Sequence, residues 1–118
     1  MVRFNSNFTP LRLKLSRRQP VQLYVEVSND ETENKMVSLY VNLSKDISFE
    51  KGGFKTDNVE RIPELAPGET KRFYYELHPK PHLDYGEHNV KVTLSNHYNS
   101  FDNVKTEKTK NMTLTVEE

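Results

Sequence analysis

The stretch VQLYVEVSN, residues 21–29, changes chemistry at every step. Val21, Leu23, Val25 and Val27 make one side; Gln22, Tyr24, Glu26 and Ser28 make the other. Successive side chains of an extended chain point to opposite faces, so a period of two marks a strand with one face buried and one wet. The stretch MVSLYVNLS, residues 36–44, repeats the pattern, with Val37, Leu39, Val41 and Leu43 set against Ser38, Tyr40 and Asn42. Between them NDETENK is polar and turn-rich, which predicts two strands joined as a connected pair.

The same period extends outward in both directions. Upstream, LRLKL turns Leu11, Leu13 and Leu15 inward, and Pro20, which cannot donate to a sheet ladder, marks the next strand's start. Downstream, Ile47 and Phe49 precede a Gly52-Gly53 break, and NVERIPEL supplies Val59, Ile62 and Leu65. Short edge strands are expected here, since Pro63 is tolerated only where few ladder bonds are needed. In ELAPGETKRFYYEL, residues 64–77, Pro67 and Gly68 fit the two central positions of a type II turn, the second of which needs positive φ. Beyond it Phe73, Tyr75 and Leu77 share a face expected in the core, and Thr70, Arg72, Tyr74 and Glu76 share the outer one. HNVKVTLSN points Val90, Val92 and Leu94 inward; a polar connection through Lys110 then leads to NMTLTVE, with Met112, Leu114 and Val116 inward.

About seven short strands with a turn signal every dozen residues, and no crossover helix, exclude parallel βαβ folds. The expected fold is all-β: one antiparallel immunoglobulin-like sandwich over residues 1–118, with Greek-key connections. The 118 residues suffice for a single core, and 34% hydrophobic with 29% charged residues suits thin layers with one face in water.

Composition excludes several function classes. Seventeen basic and 17 acidic residues give zero formal net charge, which removes the bulk attraction that nucleic-acid and anionic-membrane binders use. No apolar run is long enough for direct membrane insertion. The absence of cysteine excludes disulfides and thiolate metal sites. No signal-peptide core appears at the start. The expected location is therefore cytoplasmic for a full-length protein, and cell-surface or secreted for an excised domain.

The order of motifs resembles the immunoglobulin-like CARDB domains of bacteria and archaea, named for cell adhesion. Three features carry it: LYVEVSN ending in Asn29, the turn ELAPGE, and the Gly86-led strand GEHNVKVTL. The resemblance covers about residues 11–116 and implies a non-catalytic adhesion-type or spacer module whose partner is another protein or a repeat of the same domain. Where that family has a Tyr making a corner contact with backbone, this chain has His88, which is expected to make a similar contact through a ring nitrogen. Pro67, Gly68, Gly86 and His88 are thus expected structural turn residues. The chain also resembles the BsuPI-type inhibitors of intracellular proteases, for which the proline-stiffened loop HPKPHLDY, with His78, His82 and Asp84, is the candidate inhibitory segment.

No catalytic constellation stands out. The carboxylate pairs lie in solvated loops, no glycine-framed nucleophile or phosphate loop occurs, and the histidines of HPKPHLDYGEH follow no metal-ligand spacing. No enzyme activity, cofactor or metal is expected. The outward residues that break the polar rule are Tyr24, Tyr40 and Tyr74. In an immunoglobulin-like sandwich the second and fifth strands are neighbours, which would make Tyr24 and Tyr74 a cross-strand pair. That pair either stabilises the sheet or forms, with Arg72, an interaction patch. A carbohydrate-binding face built on these tyrosines is a third reading.

Overall fold

The computed structural model describes residues 2–9, 12–14, 20–50, 55–79 and 86–117. They form strands β1 (Val2–Thr9), β2 (Arg12–Lys14), β3 (Val21–Asn29), β4 (Lys35–Leu43), β5 (Ile47–Ser48), β6 (Asp57–Leu65), β7 (Thr70–Pro79), β8 (Gly86–Tyr98) and β9 (Ser100–Glu117). Two sheets result, one ordered β1-β3-β7-β5 and the other β2-β9-β8-β4-β6. Every pairing is antiparallel except the short β2–β9 contact. Among the described residues no helix is long and apolar enough to cross a membrane.

From β3 to β8 each successive strand lies in the sheet opposite its predecessor. This corrects the expectation that residues 21–29 and 36–44 pair. β3 pairs with β1 and β7, while β4 pairs with β6 and β8. The physical reason is that both apolar rows must be covered. Facing each other across the sandwich, they bury one another, whereas neighbours in one sheet would leave both rows bare on the same side. Val21, Leu23, Val25 and Val27 accordingly lie fully buried in one core with Val37, Leu39 and Val41, which Val90, Val92, Leu94 and Leu114 also join. Each such side chain contributes roughly 1.5–3 kcal/mol of apolar transfer.

Several finer expectations change. The first segment, VRFNSNFT, is a full edge strand, with Val2, Ser6 and Phe8 buried and Phe4 half-buried. The middle edge strand β6 runs nine residues rather than a few. Opposite the irregular register between Lys35 and Val37 it buries Ile62 and Leu65, but turns Val59 outward. The supposed polar connection before residue 111 is the first half of β9, an 18-residue strand that pairs with β8 almost to the hairpin apex at Asn99, where φ is 64°. Hydrogen bonding along a two-stranded ribbon needs no apolar face, so apolar periodicity could not register it. The ribbon helps make the molecule long, 48 × 24 × 19 Å. Phe73 and Tyr75 are half-buried at the rim of the core, and only Leu77 of that row is fully enclosed. Leu11, Leu15 and the Gly52-Gly53 break lie outside the described residues.

Candidate functional site

Two motifs at one end of the sandwich hold each other. The Glu69 amide donates to the Ala66 carbonyl at 2.9 Å with Gly68 at φ 75°, so Pro67-Gly68 forms the expected type II turn. The Gly68 amide donates to the Asn29 carbonyl at 2.8 Å, and the Asn29 amide to the Glu69 carbonyl at 3.0 Å. The Asn29 side chain, 1% exposed, donates from Nδ2 to the carbonyls of Glu33 and Leu65, both at 2.8 Å, and accepts the Glu31 amide at 2.9 Å. The side-chain amide of Asn29 therefore ties the β3–β4 loop to the end of β6, and its backbone ties both to the turn. At the start of β8, Gly86 has φ 112°. The His88 Nδ1 lies 3.5 Å from the Ser44 hydroxyl.

The outer face of the four-stranded sheet carries the aromatic pair. Tyr24 and Tyr74 are direct cross-strand partners, their ring centroids 5.1 Å apart at 45°. One step along, Glu26 faces Arg72. Arg72 Nε donates to the Tyr24 hydroxyl at 3.2 Å and lies 3.7 Å from a Glu26 carboxylate oxygen, while the Tyr24 hydroxyl donates to the same carboxylate. The Glu26 hydrogen bond raises the Tyr24 hydroxyl above the ordinary tyrosine range, and the Tyr24 hydrogen bond raises Arg72. Tyr74 is left 59% exposed on top of this network. The result is an exposed aromatic ring beside a positioned guanidinium.

Tyr40 does not join the pair. It lies on the outer face of the opposite sheet, in β4, where its hydroxyl donates to Asp57 at 3.4 Å and accepts from Asn42 at 3.3 Å. His78 is mostly enclosed, with Nε2 3.4 Å from Glu76; His82 and Asp84 lie outside the described residues, as does most of the HPKPHLDY loop. Among the described residues no group of three or more His, Cys, Asp or Glu is placed to hold a metal ion. A shallow polar depression lined by Glu31, Thr32, Glu33, Lys35 and Lys105 is held by its own ion pair, Lys35 to Glu31 at 2.6 Å, which lowers the Glu31 carboxyl.

Sequence reasoning missed the knot that fastens the ribbon. His97 Nε2 meets the Ser38 hydroxyl at 2.7 Å, the His97 ring packs edge-on to Phe101 at 5.1 Å, and Arg61 lies 5.5 Å over the Phe101 ring. These residues come from four strands and share no local pattern. Only the ribbon's register brings them together.

Fold and site together define a two-sheet β-sandwich with an aromatic outer face on its four-stranded sheet. No family model matches the chain, and no curated protein matches it. Among solved structures it is similar to self-complemented MyfA, the major subunit of Myf fimbriae from Yersinia enterocolitica. That similarity has a TM-score of 0.55 at 13% identity, over 98% of this chain and 99% of that one. It is also similar to a protein of Bordetella pertussis designated ApaA, with TM-score 0.48 and 17% identity over 98% and 92% of the two chains. The MyfA likeness bears on the fold alone and agrees with the immunoglobulin-like sandwich.

Proposed function

We propose that the chain is a non-catalytic protein–protein interaction module of adhesion or spacer type. It binds another protein, or a repeat of its own kind, through the outer face of the four-stranded sheet. The observation that carries this reading is the Tyr24–Tyr74 pair, with Tyr74 exposed and Arg72 fixed beside it. Tyr and Arg at a preorganised, partly desolvated patch are the residue types that dominate interface energetics. The shared fold with a major fimbrial subunit supports an assembly role. The CARDB-like motifs at Asn29 and Pro67-Gly68 suggest kinship with adhesion domains and point the same way.

The test is the double variant Tyr24→Ser/Tyr74→Ser. Light scattering reads self-association, and affinity capture from the native source reads partner retention. The expected result is weaker partner retention or weaker self-association with an unchanged thermal transition. Wild-type levels in both readouts would overturn the assignment of this face.

A further inference from the structure

Free sheet edges present unpaired amides and carbonyls, and folds guard them with Lys, Pro, bulges or shortness. Three outer edges of this sandwich are guarded in those ways. β5 is two residues long; β6 contains Pro63 and an irregular register; β9, beyond the three residues covered by β2, carries Lys105, Lys108 and Lys110. The β1 edge differs. It runs eight residues in unbroken register with β3, without Lys, Pro or acidic residues. Its centre, Phe4-Asn5-Ser6-Asn7-Phe8, reads the same in both directions.

We propose that β1 pairs antiparallel with β1 of a second copy of this chain, across a two-fold axis at Ser6. The backbone phase permits it. Asn29 bonds toward the turn preceding β7, so odd-numbered residues of β3 face β7 and even-numbered ones face β1. Their partners are the odd-numbered residues of β1, which leaves the amides and carbonyls of Val2, Phe4, Ser6 and Phe8 on the open edge. Ser6 behaves as this phase requires: its amide donates to the Asn5 side chain at 3.0 Å, and its carbonyl accepts from Lys110 Nζ at 3.1 Å. Both are side-chain stand-ins at positions a neighbouring strand would fill.

The palindrome then selects one register. With Ser6 opposite Ser6 of the second copy, Phe4 meets Phe8 and Asn5 meets Asn7, twice each by symmetry. Half-buried Phe4 gains an aromatic cover on the inward side, and complementary amides meet on the outward side. A shift of two residues either way sets a phenylalanine against Ser6, loses the Phe4–Phe8 match and leaves one asparagine pair where the central register has two. The joined sheet has eight strands, four from each copy. This pairing goes beyond the Tyr24–Tyr74 reading and does not depend on it.

The chain has no cysteine, so introduced thiols report alone. Flanking a hydrogen-bonded Ser6 pair, Asn5 and Asn7 of the two copies form a non-hydrogen-bonded pair with Cα atoms about 4.5 Å apart, within disulfide reach. Asn5→Cys and Asn7→Cys proteins are each purified, checked for an intact melt, and incubated in glutathione redox buffer separately and mixed. The expected result is disulfide dimer several-fold more abundant in the mixture than in either protein alone, and more abundant still when both chains carry Lys110→Met, which frees the Ser6 carbonyl. No excess in the mixture, or equal cross-linking in the separate samples, overturns the proposal. Tyr24→Ser/Tyr74→Ser leaves this cross-link unchanged, so failure of one reading is distinct from failure of the other.

Discussion

The two outer faces of the sandwich both carry tyrosine at the centre of an otherwise polar row, yet they treat it in opposite ways. On the five-stranded sheet Tyr40 lies down between Asp57 and Asn42. Around it Thr93 bonds Thr109 at 3.2 Å, Ser95 bonds Glu107 at 3.1 Å, and both Thr93 and Ser95 are buried although they point outward. That face is closed by its own side chains. On the four-stranded sheet the polar groups also bond one another, but they do so beneath Tyr74, whose ring stays in solvent. A tyrosine whose hydroxyl is tied down serves the sheet; one stacked on a fixed neighbour is available to something else.

Six substitutions in four tests probe that contrast, the largest effect first. Leu23→Ala and Leu39→Ala remove fully buried side chains beneath the open and the closed face respectively. Each should cost about 3 kcal/mol, read by denaturant titration. Similar losses with a single transition mean that the two faces share one core; separate transitions would break the comparison at its base. Asn29→Ala strands the Leu65 carbonyl and the Glu31 amide, and should cost about 2 kcal/mol. Because Asn29 lies below neither tyrosine, association through the open face should survive wherever the domain stays folded.

The hydroxyls alone sharpen the contrast further. Tyr40→Phe should lose about 0.5–1 kcal/mol, whereas Tyr74→Phe should fall within about 0.5 kcal/mol of wild type. Equal effects in the melt would erase the distinction between the faces. The smallest effect is alkaline. Burial, with Glu60 alongside, raises the Tyr75 hydroxyl well above its ordinary value of 10.0. The folded state thus keeps this proton after the unfolded state has lost it, so the contribution is complete below pH about 10 and declines as pH rises further. Tyr75→Phe should flatten the fall in stability above that pH, and a profile identical to wild type would deny Tyr75 the role.

Much of this was legible because burial writes itself as alternation. β3, β4, β8 and the end of β9 each set a clean apolar row against the core, and the Pro67-Gly68 turn announces its own φ requirement. Tyr24 opposite Tyr74 followed from sandwich topology as soon as strand order was assigned. What stayed hidden lacks that signature. Asn5, Ser6 and Asn7 form a polar run that masks the inward set Phe4, Ser6 and Phe8, so β1 reads as loop. Residues 100–111 are held by ladder bonds to β8 rather than by a core, and charge patterning there looks the same in a strand as in a linker. Pairing partners were the other blind spot, since alternation says that a strand has a buried face but not which sheet it joins. The separation of Tyr40 from the other two tyrosines is a direct result.

The length of β9 also matters while the chain is being made. As synthesis proceeds, β8 presents Val90, Val92 and Leu94 along an edge that only residues 100–117 can cover. β2 waits on the same segment, since its parallel contacts join Arg12 to Thr115 across nearly the whole chain. Such long-range pairings form slowly, because loop closure must precede the contacts that reward it. Until residues 100–117 arrive, the nascent sandwich carries an unpaired strand with an apolar side, which makes β9 the protein's own protection against sticking to its neighbours.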